Sequence, residues 1–191
     1  WGVEYKSDEV VVDRALGLQV QVSQTEPPVT HPLILGLRKE QMNPEDLVSA
    51  KLNLVNIDSA GHFKLKEGAT VKLEPLLQSS SESTTVSTER TRFLPDPRDP
   101  LKDFAPSGEN YMIAARLSGK LKSAFPDRAS AAGHIAESAE DVQAILVADT
   151  DILSNRLWVQ VQNFFGQQLM NPFADNGDLI TNSADNLSGS S

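Results

Sequence analysis

The residues whose types and spacing could do chemistry are two aspartates, Asp149 and Asp151, at the end of the apolar run 144–148. A strand ending there would present both carboxylates at its carboxyl end, where open α/β sheets gather their ligands. Carboxylate oxygens suit a divalent cation. The alternative is structural, because Asp149 could cap the turn and Asp151 or Ser154 could cap a following helix. Acids at such positions are common for capping alone, so capping is favoured.

A second polar segment, Asp175-Asn176-Gly177-Asp178, resembles a calcium loop in miniature. It lacks the distant glutamate that completes such a loop, so a turn followed by a helix cap is the favoured interpretation. We therefore treat Asp149, Asp151, Asn176 and Asp178 as candidate ligand-binding or interaction residues. We predict no metal site, no catalytic residue and no cofactor.

The sequence lacks the residues that several other kinds of functional site require. The chain has no cysteine, which excludes disulfides, thiolate zinc sites and cysteine nucleophiles. Gly119-Lys120 resembles a phosphate loop, but Ala114 stands where the earlier glycine is required, and Leu121 replaces the magnesium-binding hydroxyl. No serine-hydrolase elbow is present. The histidines are isolated from one another in sequence and form no metal-ligand pair on one helix: His31, His62 and His134.

The composition and net charge indicate which kinds of partner this protein can bind. The 191 residues are 39% hydrophobic, which is enough to bury a core, and the net charge of −9 argues against nucleic acid or an anionic membrane surface. No apolar stretch is long enough to span a bilayer. The chain opens at Trp1-Gly2 and stops at Ser191 as though cut from a longer protein. We expect any membrane anchor to lie outside it.

The elements that must position these residues follow from hydrophobic patterning. Short strands are predicted at residues 10–12 and 33–35, and a β-rich middle spans residues 51–94. A Pro-rich connector covers residues 95–106, and an alternating strand covers residues 111–117. Residues 118–140 are small, charged and aperiodic, which predicts a long mobile loop.

The C-terminal third, residues 144–189, predicts a strand followed by two helices. The continuous apolar run 144–148 is typical of a central strand covered on both faces. A first helix is predicted from apolar residues at helical spacing: Leu157, Trp158, Val161, Phe164, Phe165 and Leu169. A second helix follows Asp178 and ends at Gly189. Strand, helix and helix together predict a single α/β layered domain over residues 1–191.

Several segments together carry a family resemblance. They are residues 111–126 (YMIAARLSGKLKSAFP), 134–138, 145–166 and 171–191, with weaker matches at 52–63 and 74–80. These segments resemble the Gld-type gliding-motility auxiliary proteins of ABC transport systems. The motifs are specific to that family but are not diagnostic of any chemistry.

The resemblance implies a flavodoxin-like or glutamine-amidotransferase-like α/β fold, here truncated. It also implies an extracytoplasmic domain on the periplasmic face of the bacterial inner membrane, held there by anchors outside this chain. Its expected partners are an ABC permease and ATPase, together with an unknown extracytoplasmic ligand or protein. Because the nucleophilic cysteine of amidotransferases is absent, fold likeness carries no catalytic residue across.

Three hypotheses of function follow. The first is a non-catalytic extracytoplasmic binding or scaffold domain of a transporter auxiliary subunit. The second is a carbohydrate- or peptide-binding domain whose ligand lies near Asp149. The third is a metal-assisted hydrolase built on Asp149, Asp151 and a histidine.

Overall fold

The computed structural model describes residues 1–94 and 96–189, so Pro95 of the predicted connector and residues 190–191 of the last resembling segment lie outside it. Within that part the chain forms twelve strands and two α-helices. The strands are β1 Val3–Tyr5, β2 Glu9–Asp13, β3 Gly17–Val20, β4 Val29–Arg38, β5 Leu54–Asp58, β6 Phe63–Leu65, β7 Lys72–Gln78, β8 Ser83–Ser87, β9 Met112–Gly119, β10 Val142–Val147, β11 Val159–Phe164 and β12 Gln167–Pro172. The helices are α1 Asn155–Trp158 and α2 Asn176–Ser188.

The largest sheet is built around β9, which pairs with β10 along one edge and with β7 along the other. Strand β6 joins the start of β9, and β1 extends the sheet beyond β6. The other sheets are smaller: β3-β4-β5, β2-β8 and β11-β12. Every pairing among the described strands is antiparallel.

The main core lies where the sheets other than the β11-β12 hairpin meet helix α2. Its fully buried side chains come from β2, β4, β5, β7, β9 and α2, and they include Val11, Leu35, Ile57, Leu77, Ile113 and Leu179. A smaller cluster joins Val10, Val12, Leu33 and Val86, on which Leu101 and Phe104 of the Pro-rich connector pack. Because successive side chains of β2 point to opposite faces, the strand contributes to two apolar clusters, one on each face.

The predicted flavodoxin-like or amidotransferase-like layering is wrong. Those folds rest on parallel strands joined by crossover helices, whereas the described strands here pair only in antiparallel fashion. The molecule is mixed but strand-rich, with a curled antiparallel sheet. Residues 144–147 of the apolar run fall in β10, an edge strand paired only with β9 among the described residues, and not in a central strand. Most of its side chains are only half-buried.

The predicted first helix is also wrong beyond its first turn. Helix α1 ends at Trp158, and the rest of the segment is a hairpin formed by β11 and β12. Phe165 and Gly166 form the two-residue turn, with φ of +48° and +81°. Positive φ at both central residues is the geometry of a type I′ turn, which matches the twist of paired strands.

The second helix is present as α2, and it ends at Gly189 with φ of +77° as the sequence predicts. The sequence also predicts Leu179, Ile180, Ala184 and Leu187 on one side of this helix. Its buried face carries Leu179 and Ser183, whereas Ala184 and Leu187 are exposed. No helix among the described residues is long and apolar enough to cross a membrane.

The two long connections contain short ordered pieces. The connector forms a 3-10 turn at Asp99–Leu101, in which Pro100 is buried. In the segment 118–140, β9 continues to Gly119, and an isolated antiparallel bridge then joins Lys122 to Glu137. The mobility predicted for this loop remains a prediction.

Candidate functional site

Asp149 lies two residues after the end of β10, and its side chain links the segment that follows β10 to the end of β5. Its Oδ1 accepts a hydrogen bond from the Asp151 amide at 2.7 Å, and its Oδ2 accepts one from the Asp58 amide at 3.1 Å. The residue is 7% exposed. Both carboxylate oxygens therefore hold backbone amides, one in the turn after β10 and one at the end of β5, as the capping interpretation predicts.

Burial raises the pKa of the Asp149 carboxyl, because the charged form loses its hydration. The two backbone amides act in the opposite direction, and the nearby Asp151 and Asp58 charges raise the pKa further. A carboxylate held in this way has a structural role, because it bonds two backbone amides, but burying its charge costs hydration free energy.

Asp151 has a different environment. Its side chain is 57% exposed, and Arg156 Nη2 approaches its Oδ2 at 3.2 Å. Arg156 Nη1 also contacts Asp58 Oδ2 at 2.7 Å, so one guanidinium bridges the two carboxylates. The expected cap on the following helix is absent, because α1 begins after Ser154 and no side chain of Ser154 or Asp151 bonds its first amides.

Metal ligation finds no support in this corner. Within residues 1–94 and 96–189, no three side chains of the His, Asp or Glu types converge closely enough to hold a metal ion. The carboxylates of Asp58 and Asp151 both contact the Arg156 guanidinium.

The Asn176 side chain forms hydrogen bonds to backbone groups in the protein interior. It is fully buried, and its Oδ1 accepts from the Asn56 amide at 3.1 Å. Its Nδ2 donates to the Asn56 carbonyl at 2.7 Å and to the Ile152 carbonyl at 2.8 Å. The side chain thus bonds both backbone groups of Asn56 in β5, as a neighbouring strand would.

Asp175 extends the same arrangement. Its Oδ2 accepts from the amides of Asn53 at 2.6 Å and Leu54 at 3.1 Å, and its own amide donates to the Leu54 carbonyl at 2.7 Å. Asp175 stands at the N-cap position of α2, yet its carboxylate caps β5 and not the helix. Asp178 is an exposed residue of the first helical turn.

The structure therefore brings Asp149 and Asp151 to one place and leaves Asn176 and Asp178 outside it. The two former residues line a cleft of about 430 Å³ together with Tyr5, Asp58, Ser59, Phe63, Val147, Ala148 and Thr150. The ring of Tyr5, a residue 52% exposed, lies 5.7 Å from that of Phe63. Aromatic surface beside carboxylate and hydroxyl groups is suited to a small polar ligand with an apolar face.

A second cleft, also of about 430 Å³, was missed at the sequence level. There the His62 and Tyr111 rings are in contact, with centroids 4.9 Å apart and planes tilted by 60°, and His62 Nε2 lies 3.6 Å from Glu9 Oε2. Glu9 also accepts a hydrogen bond from Lys6 at 2.9 Å, which lowers the pKa of its carboxyl. Glu9, His62 and Tyr111 are distant in sequence and meet only through the pairing of their strands. No local sequence motif therefore predicts this cleft.

Comparison with known proteins gives one positive result. No curated protein and no solved structure matches the chain. A family model described as an ABC-type uncharacterized transport system matches residues 1–183. Since that match covers nearly the whole sequence, the chain belongs to this family of ABC transport auxiliary components.

Proposed function

We propose that this chain is a non-catalytic extracytoplasmic binding or scaffold domain of an auxiliary subunit in an ABC transport system. The observation that carries the proposal is the family match over residues 1–183. The further assignment to the Gld-type branch, associated with gliding motility, is part of the proposal and rests on the resembling segments of the sequence.

The geometry of the candidate residues supports a binding role over a catalytic one. A general acid, general base or metal ligand needs an oxygen that can reach the substrate or ion. Both oxygens of Asp149 accept from backbone amides, and every polar group of the Asn176 side chain is bonded to backbone. Asp149 and Asn176 thus maintain the fold, which leaves the exposed Asp151 and Asp178, the clefts and the surfaces for binding.

The proposed partners are the permease and ATPase subunits of the transporter. The proposed location is the periplasmic face of the bacterial inner membrane, with anchoring by segments outside this chain. Affinity purification of the tagged full-length protein from its own membranes tests the partners. We expect permease and ATPase subunits in the eluate, and their consistent absence under mild detergent would overturn the assignment.

The location is testable with introduced thiols, because the chain has no cysteine of its own. Leu47 is 70% exposed, so a Leu47→Cys variant offers an accessible thiol. We expect a membrane-impermeant maleimide to label it in cells whose inner membrane is intact. A Leu77→Cys variant is the matched control, since Leu77 is fully buried and resists labelling in the folded state. Labelling of Leu47→Cys only after cell lysis would contradict the periplasmic location.

A second candidate function rests on the cleft beside Asp149. Its exposed Tyr5 ring, the adjacent Phe63 and the polar rim fit a carbohydrate or a short peptide. This candidate keeps the second hypothesis of the sequence but moves the ligand contact from the aspartates to the aromatic pair.

Thermal unfolding in the presence of saccharide and peptide panels tests this candidate, because a ligand of the folded state raises the melting temperature saturably. Tyr5→Ala is expected to abolish the shift. Phe93→Ala is the control, since Phe93 is 89% exposed and lies outside the cleft. A shift that survives in Tyr5→Ala, or that both variants lose equally, would rule out the cleft.

A further inference from the structure

Three exposed lysines line a small cleft that lies apart from the clefts beside Asp149 and His62. Lys66 follows directly after β6, whereas Lys120 and Lys122 follow β9. We call this space the lysine cleft, and its volume is about 220 Å³. It shares no lining residue with either of the other two clefts, so it is a separate candidate binding site.

Backbone hydrogen bonds hold the segment that carries two of these lysines. The Leu121 amide donates to the Ser138 hydroxyl at 3.0 Å, and the Leu121 carbonyl accepts from the Ser138 amide at 2.9 Å. Lys122 forms an antiparallel bridge with Glu137 beside it. Successive side chains of an extended segment alternate in direction, so Lys120 and Lys122 lie on one side and Leu121 lies on the other. Both lysines can therefore face the same cleft from a backbone that is held in place.

The positive charge of the lysine cleft is not neutralised by neighbouring carboxylates. Among the described residues, the ammonium groups of Lys66, Lys120 and Lys122 form no ion pair. The described lining contains one acidic residue, Glu67. Three cations around one cavity repel one another, and they form a local reversal of charge on a chain of net charge −9. A bound anion would remove this repulsion.

A wider cleft adjoins the lysine cleft and limits the kind of anion that fits. It has a volume of about 550 Å³ and shares Thr70, Lys120 and Lys122 with the lysine cleft. Glu137 and Asp141 also line this wider cleft, so its charge disfavours further negative groups. The arrangement favours a ligand with one anionic group in the lysine cleft and an uncharged remainder. It disfavours a polyanion such as a nucleic acid.

We propose that the lysine cleft binds a phosphate group carried by a small molecule. Lysine binds phosphate as a point charge, whereas the forked guanidinium of arginine matches a planar carboxylate, and no arginine is among the described lining residues. A compact dianion also balances three cations better than a single carboxylate does. The volume of about 220 Å³ is smaller than the roughly 300–1,000 Å³ of sites for drug-sized ligands, which suits one enclosed group. Trp1, which is 57% exposed, adds an aromatic surface to the lining.

Thermal unfolding with inorganic phosphate tests this proposal, because a ligand of the folded state raises the melting temperature saturably. We expect a shift with phosphate that acetate at the same ionic strength does not produce. Lys122→Gln should weaken the apparent affinity about tenfold. Lys51→Gln is the matched control, since it removes the same charge from an exposed lysine outside the cleft and should leave the affinity unchanged. No saturable shift in the wild type, or equal weakening by both variants, would overturn the proposal.

Co-sedimentation with vesicles distinguishes a soluble phosphate compound from a lipid headgroup. The probe is phosphatidylcholine vesicles that contain phosphatidylglycerol. Because an anionic bilayer repels a chain of net charge −9, we expect no co-sedimentation, which together with the phosphate shift indicates a soluble ligand. Co-sedimentation that Lys122→Gln removes and Lys51→Gln retains would instead identify a lipid headgroup as the source of the phosphate group.

Discussion

Two neighbouring regions of this chain differ in which side chains they bury and which they expose to solvent. At the β5 junction, defined by Asn56, Asp175 and Asn176, polar side chains are buried or half-buried, and those of Asp175 and Asn176 bond the backbone edge of β5 as a neighbouring strand would. In the hairpin that precedes it along the chain, apolar side chains are exposed and the strand edge is open. One region closes a β-edge with side chains, whereas the other leaves an edge free.

The difference indicates where binding should be sought. A polar cluster seen in sequence suggests a ligand site, yet here such clusters complete the backbone hydrogen bonding of the fold, because buried amides and carbonyls must find partners. The hairpin contributes little to the core and so gives little stability to lose when its surface is changed. Its exposed edge and the two clefts are therefore better candidates for recognition than the aspartates.

The largest effect is expected at the β5 junction. Asn176→Ala removes three buried hydrogen bonds and leaves the Asn56 amide, the Asn56 carbonyl and the Ile152 carbonyl unpaired. We expect the free energy of unfolding to fall by about 3 kcal/mol or more, measured by urea denaturation. Asn171→Ala, at an exposed asparagine of β12, should change it by less than about 0.5 kcal/mol. Similar losses for both variants would remove the contrast between the regions.

An intermediate, pH-dependent effect is expected at Asp149. Asp149→Asn leaves one of its two backbone amides without an acceptor, which costs about 1–2 kcal/mol. Burial raises the pKa of Asp149 above its ordinary value of 3.8, so the stability it contributes below that value is lost as the pH rises through the folded-state pKa. The stability advantage of the wild type over Asp149→Asn should therefore shrink with rising pH in urea denaturation. An advantage that grows with pH would contradict this.

The smallest effect is expected in the hairpin turn. Gly166 has φ of +81° and open space around its missing side chain, so Gly166→Ala costs only backbone strain of about 1 kcal/mol. We expect faster hydrogen exchange of the β11 and β12 amides in dilute protein, with the urea midpoint almost unchanged. A large drop in the midpoint would mean that the hairpin is coupled to the core.

Much of the strand content could be predicted because short apolar runs and the alternation of side chains along a strand are visible locally in the sequence. The runs at residues 10–12 and 33–35 and the alternation at 111–117 became β2, β4 and β9. The hairpin was missed because Leu157, Val161 and Leu169 also fit helical spacing. The stronger signal was the alternation of Val159 and Val161 with Gln160 and Gln162, followed by Gly166 at a turn position.

By itself the sequence determined that this protein has no cysteine and which short segments are strands, because composition and two-residue periodicity are local properties. It also indicated membership in the family of ABC transport auxiliary components, through segments spread along the chain, whereas the Gld-type branch remains a proposal. Only the tertiary structure decided that the strands pair antiparallel, that Asn176 bonds β5 and that His62 meets Glu9 and Tyr111. Those outcomes depend on which distant backbone edges come together, and no local pattern of side chains encodes that choice.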